Sequence, residues 1–250
     1  MAVSSEPQLI QEVERLRAEL ARREQEAAEK ERQLERYAAD LRGAFKRERS
    51  HSQELERSYS ATVRVLSNAV EARDAYTGKH ADRVTAYGIE IARAMGLSLA
   101  DEPRVEFGFL LHDIGKVAIP DAILYKPGSL TEKERALMAQ HPLIGSEIVA
   151  GIEFLSEAAQ VVRSHHERWD GDGYPDGLRG EEIPLAARVF AVADVLDALT
   201  TDRPYRPALP LAEARRMIVA AAGTQFDPRV IEAFTSIPDE VFEEIGARIH

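Results

Sequence analysis

Cysteine is absent from this 250-residue chain, and tryptophan occurs once. Without thiols there is no disulfide framework and no thiolate metal site, so any bound metal must be held by nitrogen and oxygen. Long apolar runs are also missing. No stretch approaches the roughly eighteen apolar residues of a membrane span, and the opening "MAVSSEPQLI" has no basic region leading into an apolar core. These features predict a cytoplasmic chain without membrane insertion. Positive charge is scarce, with 43 acidic against 32 basic residues and a net charge of −11. That balance excludes a binder of nucleic-acid polymers that relies on phosphate attraction. Alternating strand patterns of useful length do not occur, and what remains is helical periodicity, so the fold class is all-α.

Composition changes near residue 60. From Leu9 a three-and-four spacing runs through Val13, Leu16, Leu20, Leu34, Tyr37 and Leu41, with Glu, Arg, Lys and Gln filling most other positions. This is a heptad seam, although Arg23 and Lys30 occupy seam positions and Gly43 is read as an interruption. A lone helix with so narrow an apolar stripe gains little from burial, so residues 1–58 are expected to form a parallel coiled-coil homodimer.

The body, residues 59–250, reads as helix after helix. Gly96 closes one of them. "LADEPRVEFGFLLHDIGK" is a second, apolar enough to be central, with Lys116 one helical turn beyond His112. Thr131 and Glu134 form a capping box, Pro142 suits an opening turn, and Asp227 followed by Pro228 supplies an N-cap and first turn.

Seven histidines occur, of which His51 and His250 read as solvated. The other five, His80, His112, His141, His165 and His166, lie within or at the ends of apolar helical segments. With Asp113 and Asp194 they offer a nitrogen and oxygen donor set suited to two borderline ions such as iron or manganese, with positions left open for substrate and water. Neighbouring residues on a helix cannot point the same way, so one of His112 and Asp113 can serve one ion while the other bridges or faces the second. Asp194 stands amid Val, Phe, Ala and Leu, where an unpaired carboxylate carries a large desolvation cost. The alternative for Asp194 is a buried salt bridge to a partner on another helix. The stretch after the histidine pair, "ERWDGDGYPDGLRG", is a turn-rich segment that reads as a rigid loop held over something.

"HDIGK", "HHERWDGDGYPDGLRG", "IPLAARVFAVADVLDALTTDRPYR" and "GTQFDP" together resemble the HD-GYP family, a branch of the HD phosphohydrolases that hydrolyses cyclic di-GMP in bacteria. The resemblance implies an HD-type helical domain over residues 59–250 and a phosphodiesterase that converts cyclic di-GMP to pGpG, and in some members on to GMP. It implies metal ligation by His80, His112, Asp113, His141, His165, His166 and Asp194, with Asp113 the best candidate for a bridge and a hydroxide held between the ions. Lys116 would then act on the scissile phosphate. Tyr174 would offer its ring or hydroxyl to the nucleotide, and Arg203 and Arg206 would contact it. Members with three metals carry an acidic residue four before the first ligand histidine, where this chain has Tyr76. A phenol is costly to ionise at neutral pH, so two divalent ions are expected rather than three. Glu71 and Asp74 stand at the wrong helical phase for that role. Two rivals remain, a silent cyclic di-GMP receptor and a hydrolase of another cyclic dinucleotide such as cyclic GMP-AMP.

Overall fold

A computed structural model describes residues 6–73, 79–97, 103–202 and 206–249. Its contacts divide the chain into two compact units, Met1–Tyr59 and Ser60–His250. Helix α1 (Glu6–Glu71) supplies all the described structure of the first unit and opens the second. Gly43 lies inside α1 without breaking it, contrary to the interruption read from the sequence. One glycine costs a helix about 1 kcal/mol, which the strong helix formers around it outweigh. Ion pairs at helical spacing, Glu12 with Arg15 and Glu19 with Arg23, line its surface. The seam is solvent-facing, from 47% exposure at Val13 to 67% at Leu34.

The second unit is a helical body, and the described residues include no strand; an isolated bridge pairs Ala222 with Phe226. Its helices are α2 (His80–Ala94), α3 (Pro103–Leu110), α4 (Asp121–Leu124), α5 (Glu132–Met138), α6 (His141–Ala150), α7 (Ala158–Ser164), α8 (Leu185–Thr200), α9 (Leu211–Ala220), α10 (Pro228–Ser236) and α11 (Asp239–Arg248). Local chemistry sets the ends. Gly96 follows α2 with φ 75°, a left-handed conformation that costs glycine nothing. The Thr131–Glu134 capping box starts α5, Pro142 sits in the first turn of α6, and the Asp227 carboxylate accepts the Arg229 N–H to start α10.

The core is a contiguous apolar cluster. Val84 and Ile91 of α2, Phe109 of α3, Phe190 and Leu196 of α8 and Phe234 of α10 are fully buried in it. The last turns of α1 join this body by burying Val63 and Val70, and Ser67 donates to the Leu110 carbonyl at 2.8 Å. One element departs from the sequence reading. The helix expected to run through "HDIGK" stops at Leu110, and the chain turns at residues 111–113 before a 3-10 helix, Ile114–Ala118. Lys116 therefore stands on a 3-10 turn, not one α-helical turn beyond His112.

Candidate metal centre

Four helix ends and one helix middle bring the expected ligands together. His80 is the first residue of α2 and His141 the first of α6. His165 caps the C-terminus of α7, and His166 lies just beyond it. His112 and Asp113 occupy the turn after α3, where Asp113 has φ −95° and ψ 7°. That bridge region of backbone space is sparsely populated and frequents active sites. Leaving the helix is what lets two consecutive side chains address one centre. Asp194 projects from the middle of α8.

The ligand atoms form two groups. Those of His80, His112 and Asp194 lie within 4.8 Å of one another, as do those of His141, His165 and His166. Asp113 reaches both groups, with Oδ2 3.1 Å from His112 Nε2 and Oδ1 3.3 Å from His141 Nε2. Beneath them Phe190 packs its ring 4.7 Å from His112 and 5.7 Å from His165, an apolar floor one helical turn from Asp194.

The tautomers follow from the hydrogen bonds. His112 Nδ1 meets the Phe109 carbonyl at 2.9 Å, His141 Nδ1 the Met138 carbonyl at 2.8 Å, and His165 Nδ1 the Val162 carbonyl at 2.7 Å. A carbonyl can only accept, so in each ring Nδ1 carries a proton and Nε2 is the atom directed at the centre, able to hold an ion when it carries none. His141 and His165 bring their Nε2 atoms within 3.1 Å of each other, and with both rings neutral their opposed lone pairs call for a cation. Burial depresses His165 well below the usual imidazole range, and burial beside His141 lowers His166 to about 4. Burial works against ionised Asp113, yet His112 and Lys116 hold its carboxyl well below the usual range. Neutral imidazoles and ionised carboxylates are the protonation states that metal ligation requires. His165, His166 and Asp113 are thus already in those states, and the donor set fits divalent cations once His80 gives up its Nε2 proton. Asp194 faces His80 Nε2 at 3.3 Å, so without an ion it has the interhelical partner that the salt-bridge alternative asked for. Burial opposes the charge of both groups, but their mutual hydrogen bond lowers Asp194 to about 2 and, with Asp197, lifts His80 to about 10.

These shifts carry a pH prediction. Unfolded, His166 returns to its ordinary 6.5 and takes up a proton that the folded ring refuses until about pH 4. Its contribution is therefore fully present above 6.5 and is lost as pH falls through 4, by up to ~3 kcal/mol. Melting curves of the metal-stripped protein should fall across that window, and those of His166→Gln should fall less. Parallel curves would contradict the assignment.

Lys116 Nζ lies 2.8 Å from Asp113 Oδ2 and is largely buried beside the centre. The approach of its 3-10 turn to α6 depends on Gly115, where a Cβ would stand 1.9 Å from the His141 carbonyl oxygen and 2.6 Å from the Gly145 nitrogen. Both obstacles are backbone. Gly115→Ala should cost at least ~3 kcal/mol, the upper end for overpacking, and separate Asp113 from His141. A melting temperature within a degree of wild type would refute this.

The loop after the histidine pair closes over the site. The Tyr174 ring stacks on His166 with centroids 4.8 Å apart, and its N–H donates to the His166 carbonyl at 3.3 Å. Burial raises its phenol to about 12, leaving a neutral hydroxyl able to donate. The loop is cinched by Glu167, a buried carboxylate that accepts the N–H groups of Asp176 at 2.7 Å and Leu178 at 3.1 Å. Gly173 passes so close that a Cβ would sit 2.5 Å from the Glu167 Cα. Gly171, Gly177 and Gly180 adopt positive φ.

Other expected residues are placed differently. Arg206 donates to the Ala198 carbonyl at the end of α8. Arg203, Tyr76 and Asp74 lie outside the described residues. Glu71 accepts the Ala81 N–H at 2.6 Å and, with His80, His112 and Asp113, lines a cavity of about 20 Å³. Sequence reasoning did not single out Glu167, Asp197 or Arg83. Asp197 was within reach of the argument applied to Asp194, being a second carboxylate on the same apolar helix.

The sequence model of the HD domain matches residues 64–230. The cyclic di-GMP phosphodiesterase response regulator RpfG of Xanthomonas campestris is 44% identical over 182 residues, covering 72% of this chain and 48% of the relative. The 3'3'-cGAMP-specific phosphodiesterase 2 of Vibrio cholerae is 40% identical over 177 residues, covering 70% of this chain and 34% of the relative. The chain spans less than half the length of these two proteins. Among solved structures, the cyclic GMP-AMP specific phosphodiesterase V-cGAP3 of V. cholerae is similar in fold, with TM-score 0.53 at 21% identity over 75% of this chain and 55% of that one. The chain belongs to the HD-domain family, and "HDIGK" with "HHERWDGDGYPDGLRG" places it in the HD-GYP branch.

Proposed function

We propose that the chain is a cytoplasmic phosphodiesterase that hydrolyses cyclic di-GMP to pGpG with two divalent ions, iron or manganese. The observation that carries this reading is the pair of ligand groups joined through Asp113, with Lys116 beside it and Tyr174 above. His80, His112 and Asp194 would hold one ion, His141, His165 and His166 the other, and Asp113 would serve both. When bound, such ions lower the pKa of water and draw charge from phosphoryl oxygens.

Hydrolysis adds water across one phosphodiester. A bond forms from the water oxygen to phosphorus, the bond to the 3′ oxygen breaks, and that oxygen takes up a proton. The charge accumulating on the phosphoryl oxygens is what Lys116 meets, since its ammonium is already held at the centre and need not reorganise. Tyr174, fixed by its stack on His166, presents a phenolic donor or a ring face to the nucleotide. An arginine has five N–H donors, so the bond from Arg206 to Ala198 leaves others for a nucleotide, and Arg203 is proposed to act alongside it. With Tyr76 in place of an acid, the ion count is two and pGpG accumulates.

Relatives of comparable identity are named for cyclic di-GMP and for 3'3'-cGAMP, so the test compares both substrates. Protein purified without oxygen and loaded with manganese should cleave cyclic di-GMP faster than cyclic GMP-AMP, with pGpG as the first product. Faster cleavage of cyclic GMP-AMP would reassign the substrate. No cleavage of either with both ions bound would favour a silent receptor.

Residues 1–58 are proposed to form a parallel homodimer, because the exposed seam of α1 is the stripe a second copy would cover. Removing them should yield a monomer by light scattering with its ion content intact. A truncated protein that stays dimeric would move the interface elsewhere.

A further inference from the structure

Asp197 has no part in the ligand set, yet it sits directly behind it. Asp194 and Asp197 are three residues apart on α8 and so share a face. The His80 ring lies between them, with Nε2 3.3 Å from Asp194 Oδ1 and Nδ1 2.7 Å from Asp197 Oδ2. Arg83, three residues after His80 on α2, grips the same carboxylate through Nε to Oδ1 at 2.6 Å and Nη2 to Oδ2 at 3.1 Å. Thr201 Oγ1 adds a contact to Oδ1 at 3.4 Å. Asp197 is 1% exposed, and both its oxygens are engaged.

A buried ion pair of this kind is a weak device for stability, because well-packed apolar side chains serve as well or better. What it does supply is direction. An ionised carboxylate can only accept, so Nδ1 of His80 must carry a proton and Nε2 is the atom left for an ion. The three other rings with a described Nδ1 bond, His112, His141 and His165, use backbone carbonyls, which are neutral. A carboxylate partner orients a ligand ring and raises its basicity. The two ligand groups also differ in themselves, since His80, His112 and Asp194 include a carboxylate and His141, His165 and His166 do not.

We propose that Asp197, held by Arg83, is a positioning residue that fixes His80 with Nε2 toward the ion and makes the His80, His112 and Asp194 group the tighter of two ion sites. This rests on the ligand reading given above, and the experiment separates the two. Manganese is titrated into the stripped full chain by calorimetry for wild type, Asp197→Asn, Arg83→Lys and His80→Ala. Wild type should bind two ions in resolved steps. Asp197→Asn should weaken the tighter step about 10- to 100-fold and leave the other within about twofold, and excess manganese should restore its hydrolysis. Arg83→Lys, which keeps the charge but not the paired grip, should weaken the same step by less.

Because Asp197→Asn leaves a buried guanidinium short of its partner and can fail to fold, a second measurement needs no variant. In nitrogen-edited spectra of zinc-loaded wild type, His80 should show a protected Nδ1 proton and a metal-shifted Nε2. His80 with a bare Nδ1 would overturn the proposal, as would Asp197→Asn protein that binds both ions as wild type does. If His80→Ala binds both ions normally, the ligand reading itself falls, and this inference with it.

Discussion

Asp113→Ala is expected to strip both ions from the centre and lower hydrolysis by roughly a thousandfold or more. The size follows from position. Every other expected ligand belongs to one of the two groups, whereas the Asp113 oxygens reach His112 in one and His141 in the other. Its removal leaves imidazoles whose lone pairs oppose one another, as those of His141 and His165 do at 3.1 Å, with no shared negative charge to offset two dications. Losing one preorganised donor to a developing charge costs about 10²- to 10³-fold, and losing the ions removes more than one such interaction. The fold should survive, because the apolar cluster of α2, α3, α8 and α10 does not include Asp113. Elemental analysis beside far-ultraviolet circular dichroism checks both halves. An Asp113→Ala protein that keeps two ions and hydrolyses normally would refute the bridge.

Lys116→Ala should separate binding from rate. Its ammonium contacts the carboxylate of Asp113 and belongs to neither ligand group, so both ions should remain while kcat falls about 10²- to 10³-fold, the effect of removing one charge-stabilising donor. KM should change much less, since the contact strengthens as charge accumulates on the phosphoryl oxygens. Loss of an ion from Lys116→Ala would mean that the lysine supports Asp113 in place of acting on the phosphate.

How much of this could be read from residue order depends on the range of the interaction. Periodicity over long apolar stretches predicted an all-α chain, and local caps at Thr131, Asp227 and Gly96 placed helix starts and stops, because each involves residues a few positions apart. The end of α3 was not legible. Apolar spacing continues through Leu111, but the Gly115 crossing with α6 requires a turn there, and only the tertiary structure imposes it. Histidine and carboxylate candidates were legible as a set because buried polar side chains in apolar helices need a reason. Which of them share a group was not, since His80, His112 and Asp194 come from three segments widely separated along the chain. Asp197 carries the same desolvation signal as Asp194, whereas Arg83 carries none, because a ligand's supporting partner has no spacing rule of its own. Their contact joins positions 114 residues apart.

The most direct test of the two-ion account is a single titration, in which hydrolysis of cyclic di-GMP by the metal-stripped full-length chain is followed as manganese is added without oxygen. The account predicts that the rate rises steeply only as the second equivalent per chain binds and then stays level. A plateau after one equivalent, a further rise with a third, or a rate indifferent to manganese would contradict it.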